Sequence, residues 1–172
     1  FDINGAVYKG RKENNSEHEK IAEKTNLNCF TGDIKEGIKG ADVFIGLSAP
    51  GILNADMIKS MNNKPIVFAL ANPVPEIMPD EAKKAGAFIA ASGRSDFPNQ
   101  INNCLVFPGL FNGILKHNIK KITQEMKISC ALALASIIKD DELSADYILP
   151  EALDARVPEV ISETAGRISK NH

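Results

Sequence analysis

Four short stretches carry residue types that can grip a polar ligand. They are Asp2, the run Gly46-Leu47-Ser48-Ala49-Pro50-Gly51, the run Asn72-Pro73-Val74-Pro75-Glu76, and the segment from Gly93 to Asn102-Asn103. Glycine allows close backbone approach, and a serine hydroxyl can meet a sugar or phosphate oxygen. GLSAPG is not a phosphate-binding P-loop, because Ile52-Leu53 stand where Lys-Ser/Thr would be needed. A tight strand-to-helix turn is the commoner use of such a loop. Asn72, Asn102 and Asn103 offer neutral amides, which donate and accept hydrogen bonds without bringing charge into an apolar site. A carboxylate at Asn72 would repel an acidic ligand and shift its own pKa on burial. Against this, an Asx-type turn is the commoner local use of Asn-Pro, and helix capping competes for Asn102 and Asn103. A loop-stapling salt bridge is the commoner explanation of Arg94 and Asp96.

Asp2 can accept hydrogen bonds from the ribose hydroxyls of a dinucleotide, or serve as a turn residue beside Asn4-Gly5. Ile3 and Asn4 supply no cation for a 2′-phosphate, which favours NAD over NADP. His18, His117 and His172 sit in polar segments away from these loops and are expected at the surface. No spacing of carboxylates suggests a metal cage.

Such residues need a scaffold. Residues 41–47 (ADVFIGL), 65–71 (PIVFALA) and 87–92 (AFIAAS) are short apolar runs, the pattern of parallel strands covered on both faces. Between them, Asn54 caps one expected helix, with Met57, Ile58 and Met61 as its apolar stripe. Pro79 opens another and Gly86 ends it. This alternation predicts right-handed βαβ crossovers, with all four ligand-competent stretches converging at the carboxyl edge of the sheet. From Gln100 onward the pattern is helical. Ile122, Met126, Cys130, Leu134 and Ile138 recur every four residues, and a last helix spans Val157 to Ser169. Residues 9–25 are the most polar and are expected to be the most mobile. Phe1-Asp2 resembles the end of a strand whose beginning is missing, so the chain is read as a fragment.

Composition narrows the function classes. The 172 residues suit one domain, and the net charge of −2 is spread without a basic, aromatic-lined patch, which argues against nucleic-acid binding. No run is long enough for a membrane span, and no secretory leader is seen. Cys29, Cys104 and Cys130 form no close pair, as suits a reducing compartment such as the cytoplasm.

Taken in order, FDINGAVYKGR, ADVFIGLSAPGIL, PIVFALANPVPEIMPDEA, GAFIAASGRSDFPNQINNCLVFPGLFNGIL and ITQEMK closely resemble the NAD-binding domain of bacterial-type malic enzymes. The resemblance runs from Asp2 to about Ile138. It implies an α/β, Rossmann-like parallel sheet with flanking helices, truncated at its N-terminal strand and glycine loop, and with C-terminal helices from about residue 121. Residues 1–172 would then be one partial NAD-binding domain. The implied reaction is oxidative decarboxylation of malate to pyruvate and CO2 with reduction of NAD, or of NADP. A divalent metal, Mg²⁺ or Mn²⁺, would polarise the keto oxygen and stabilise the enolate.

The resemblance assigns Asn72, Asn102 and Asn103 to substrate. It assigns Asp2, Gly46, Leu47, Ser48, Ala49, Asn72 and Asn102 to the cofactor. The family's catalytic Tyr and Lys, its metal-binding acids and its GxGxxG turn all precede the position matching Asp2, so no catalytic residue or metal ligand is expected here. Tyr8 and Tyr147 match none of these. At Asn112 the chain departs from bacterial relatives, which often carry Arg there, and that position is expected on a helix outside the site. The fragment alone is expected to be inactive, to associate with the missing N-terminal part and to form a homo-oligomer. A non-catalytic nucleotide- or partner-binding module is the alternative. A dehydrogenase for another amino or hydroxy acid is a third reading, against which ANPVPEI argues.

Overall fold

The computed structural model describes residues 1–169. Among these, three strands form a parallel sheet in the order β1 (Val43–Gly46), β2 (Ile66–Ala69) and β3 (Ile89–Ser92). Val43 pairs with Ile66 and Ile66 with Ile89, so the strands run in step and end together. Each strand lies within an apolar run read from the sequence, shortened by at most two residues at either end.

Helices α1 (Ser16–Ala22) and α2 (Ile34–Gly37) precede the sheet, and α3 (Ala55–Lys59) and α4 (Pro79–Ala85) supply its crossovers. Asn54 caps α3 by accepting from the Met57 amide at 3.0 Å. Pro79 opens α4, and Gly86 closes it at φ 113°, a left-handed conformation that glycine adopts without a Cβ clash. Met57, Ile58 and Met61 join Phe44, Val67, Ala82 and Ala90 in one core beneath the sheet. Burying a side chain such as Ile58 or Val67 contributes about 1.5–3 kcal/mol.

The second core lies among the C-terminal helices. A 3₁₀ turn (Asn103–Leu105) leads into α5 (Phe107–His117), followed by α6 (Gln124–Ala135) and α7 (Arg156–Ser169). Met126, Cys130 and Leu134 of α6 pack with Leu110, Val157, Ile161 and Ala165. A Cβ at Gly109 would come within 2.7 Å of Ile161 Cβ, so glycine there lets α5 and α7 approach closely. Asn112 lies exposed on α5, away from the clefts described below.

Three expectations change. The sheet is not covered on both faces at β1, which alternates, with Phe44 buried while Val43 and Ile45 are 45% and 62% exposed. Its inner face has α3 and α4 to pack on, whereas the outer face of β1 lacks such a partner among the described residues. The polar stretch 9–25 also builds more order than its composition suggests. Asn15 caps α1 by accepting from the Glu17 and His18 amides, and Arg11 is only 5% exposed. The residue pair Phe1-Asp2 does not extend a strand here, and Asp2 instead bridges Gly5 across a turn.

Candidate functional site

The carboxyl ends of all three strands feed one open cleft of about 840 Å³. Leu47 follows β1, Leu70 and Asn72 follow β2, and Gly93 follows β3; Asn102, Asn103 and Phe107 line the same cleft. The three predicted amides therefore meet at one place. Asn72 is exposed, and among the described residues its side chain makes no hydrogen bond, so the Asx turn its sequence allows is not formed. Its amide is free to meet a ligand. The Asn72–Pro73 peptide is cis. Asn102 forms the cap considered for it and also lines the cleft. Its Oδ1 accepts from the Cys104 amide at 3.2 Å as a cap, its Nδ2 donates to the Gly93 carbonyl at 3.1 Å, and its side chain also lines the cleft.

A second cleft, of about 890 Å³, runs along the outer side of β1. Asp2, Gly46, Leu47, Ser48 and Ala49 all line it, together with Ile3, Val43 and Ile45. Leu47 belongs to both clefts. The expected convergence on a single edge is therefore two adjoining clefts joined at the end of β1, a shape suited to an elongated ligand with dissimilar ends.

Asp2 is not a bare acceptor. The buried Arg11 guanidinium pairs with it, with Nη1 donating to Oδ1 at 2.9 Å and Nη2 to Oδ2. That hydrogen bonding, aided by the Asn4 amide and opposed by desolvation, lowers the Asp2 carboxyl to about 2. Three donors leave a carboxylate one of its roughly four lone-pair directions. His18 also departs from its expected surface place. Its Nδ1 lies 3.7 Å from Asp2 Oδ2, and its side chain is 29% exposed. His117 is likewise half-buried, packed against Gly166 at the α5–α7 contact. His172 lies outside the described residues.

The loop after β2 ends in Glu76, to which no role of its own was assigned from the sequence. Glu76 is 0% exposed and folds back between the strand ends. Its Oε1 accepts from the Ser48 amide at 2.8 Å and the Ser48 hydroxyl at 3.0 Å, and its Oε2 accepts from the Ala71 amide at 3.0 Å. Burial alone would raise its pKa, but the Ser48 and Ala71 amides, with its own N–H and the Ser48 hydroxyl, outweigh that and hold it low. Asn99, 6% exposed, performs a similar task on the other side, donating to the Ala90 and Ala145 carbonyls and accepting from the Ile148 amide. Arg94 and Asp96 form the anticipated loop salt bridge at 2.7 Å. Lys127, from α6, is the one charged side chain among the described residues lining the amide cleft, and it too went unread in the sequence.

The metal expected from the resemblance finds no home among the described residues, where no group of three or more His, Cys, Asp or Glu is placed to hold one. No helix among them is long and apolar enough to cross a membrane. All three cysteines are free.

Parallel strands, crossover helices and two clefts meeting at the strands' carboxyl ends define a Rossmann-like α/β domain of the dinucleotide-binding class. The family described as "Malic enzyme, NAD binding domain" matches residues 1–171, and the chain belongs to it. It is 46% identical over 167 residues to the bifunctional malic/malolactic enzyme of Bacillus subtilis (strain 168), covering 96% of this chain and 41% of that one. It is 42% identical to an NADP-dependent malic enzyme of Rhizobium meliloti (strain 1021), covering 91% of this chain and 22% of the relative. Among solved structures, the NAD-dependent malic enzyme of Thermotoga maritima superposes with a TM-score of 0.86 at 43% identity, covering 94% and 42% of the two chains. The malic enzyme of Entamoeba histolytica superposes with a TM-score of 0.91 at 40% identity, covering 99% and 36%. The chain thus spans about two fifths or less of the length of these relatives.

Proposed function

We propose that this chain forms the dinucleotide-binding part of a malic enzyme that oxidises malate to pyruvate and CO2 in the cytoplasm. The observation that carries this reading is the meeting of Asn72, Asn102 and Asn103 in one open cleft at the strand ends, adjoining a second cleft lined by Asp2 and the GLSA loop. A dicarboxylate and a nicotinamide carboxamide both call for hydrogen-bonding groups without negative charge, and three amides supply them. NAD, when bound, would supply the acceptor for the hydride of malate C2. The chain's own residues hold and orient: Asn72 and Asn102 reach both substrate and nicotinamide, and Asn103 reaches substrate. Asp2 takes the adenosine ribose with its remaining acceptor direction, while Gly46, Leu47, Ser48 and Ala49 line the dinucleotide between. No acid, base or metal ligand is assigned to these residues, so no proton transfer and no step through a metal is derived from them.

NAD is favoured over NADP because Arg11, the cation nearest the ribose position, is already committed to Asp2. The carboxylate beside it would repel a 2′-phosphate. Relatives named for each cofactor are known, so this preference is a property to be measured.

The test is the intact protein assayed for malate-dependent reduction of NAD⁺ with Mn²⁺, parent against Asn102→Ala. Loss of one or two charge-assisted hydrogen bonds lowers kcat/KM by roughly tenfold or more. An unchanged kcat/KM removes Asn102 from the substrate. Residues 1–172 assayed alone are expected to be inactive.

A further inference from the structure

Glu76 presents a charge without a countercharge. The carboxylate is fully buried and, among the described residues, no cation pairs with it; every contact to its oxygens is a neutral N–H or O–H donor. The site is built tightly around it. A Cβ at Gly46 would come within 2.5 Å of the Glu76 carboxyl carbon, so glycine at the end of β1 is what makes room for the acid. The anion also lies between the two clefts in sequence terms. Its partner Ser48 follows Leu47, which lines both, and its partner Ala71 precedes Asn72, which lines the amide cleft.

A neutral side chain does not replace this arrangement. Glutamine offers one carbonyl oxygen and would turn its NH₂ toward a donor, leaving the Ser48 or the Ala71 amide unsatisfied. The need for an acceptor on both sides thus fixes a full negative charge out of direct contact with solvent, where it acts over several ångströms.

The charge has a consequence for a ligand whose own charge changes in the reaction. The nicotinamide ring is cationic in NAD⁺ and neutral in NADH. Resting on the assignment of the amide cleft to nicotinamide, we propose that Glu76 is a positioning residue that also sets the preference between redox forms. By tying the Ser48 and Asn72 loops together it shapes the clefts, and its fixed anion favours the oxidised ring over the reduced one. Glu76 touches neither cofactor nor substrate. It acts through the loops it holds and through its field, promoting binding of the oxidised cofactor and release of the reduced one.

The experiment is a direct titration of NAD⁺ and of NADH into the intact protein, comparing the parent with Glu76→Gln and Glu76→Asp. It reads binding and needs no turnover, so its outcome is separable from whether malate is the substrate. In Glu76→Gln, affinity for NAD⁺ is expected to fall about threefold or more beyond any fall for NADH. Equal weakening of both forms means a structural role alone and overturns the proposal, as does no weakening of either. Glu76→Asp keeps the charge and is expected to keep the parent's NAD⁺/NADH ratio even where both affinities drop; a ratio like that of the glutamine variant overturns it. Should Glu76→Gln fail to fold, ¹³C NMR of the unaltered protein carries the test. By reciprocity of linkage, the Glu76 carboxyl must titrate at lower pH with NAD⁺ bound than with NADH bound, and equal midpoints overturn the proposal.

Discussion

At the scale of single residues, Asp2 and Glu76 are carboxylates that tie stability to pH in acid, joined by Asp96 and Asp154, which their arginine partners also hold low. Asp2 has its pKa lowered to about 2 by Arg11, and Glu76 has its pKa lowered by amide and hydroxyl donors that outweigh its burial. In an unfolded chain these groups titrate near 3.9 and 4.3. A depressed folded-state pKa contributes stability that is fully present above the unfolded value and is lost as pH falls through the folded one. Stability should therefore hold above about pH 5 and decline from pH 4 toward pH 2. The variant Arg11→Met should bring the Asp2 carboxyl back toward the ordinary range and remove part of that acid-side slope, read by denaturant melts across pH; an unchanged slope would show that the pair contributes nothing. The place of Asn72 at a strand end was legible because its neighbours are local: prolines and the end of an apolar run mark it. Arg11 and Glu76 were not, because their partners lie 9 and 28 residues away, and no short-range pattern marks a side chain that folds back over such distances.

At the scale of elements, periodicity served well wherever packing was one-sided and regular. The stripe of Met126, Cys130 and Leu134 on α6 and that of Met57, Ile58 and Met61 around α3 are buried as expected, while Ile122, just before α6, is diverted to line the amide cleft. The strands were found and β3, with Ala90, Ala91 and Ser92 all buried, is covered on both sides as expected, but the outer side of β1 was misjudged. An apolar run does not reveal whether both sides are covered, and Val43, Ile45 and Leu47 leave the outer side of β1 open. Close approaches between elements give sharper predictions than apolar runs do. The variant Gly46→Ala must collide with the Glu76 carboxyl and the Phe44 ring, and should destabilise the domain by about 1–3 kcal/mol. Gly109→Ala should cost a similar amount by separating α5 from α7, where the new methyl would meet Ile161 Cβ and the Pro158 carbonyl within 2.8 Å. By contrast, a Cβ at Gly93 meets only the Ile101 carbonyl at 3.8 Å, so Gly93→Ala should melt close to the parent. Thermal melts of the three variants check this order, and a Gly46→Ala protein as stable as Gly93→Ala would contradict the packing described.

At the scale of the whole molecule, the open flank of β1 is the feature with the widest reach. An unpaired parallel edge with exposed Val43, Ile45 and Leu47 presents both free backbone groups and apolar area. Residues 1–172 on their own should self-associate, and sedimentation at high concentration should show species larger than a monomer; a clean monomer would contradict this. The same flank carries the Asp2 cleft, so the surface expected to take the adenosine end also depends on what lies against β1 in the intact protein. The most direct test of the central claim is a crystal structure of that intact protein with NAD⁺ and a non-reacting malate analogue. The account predicts the adenosine ribose at Asp2, the dinucleotide along residues 46–49, and the Asn72 and Asn102 amides within about 3.5 Å of nicotinamide or analogue oxygens. A dinucleotide bound elsewhere, or amides turned away from both ligands, would contradict it.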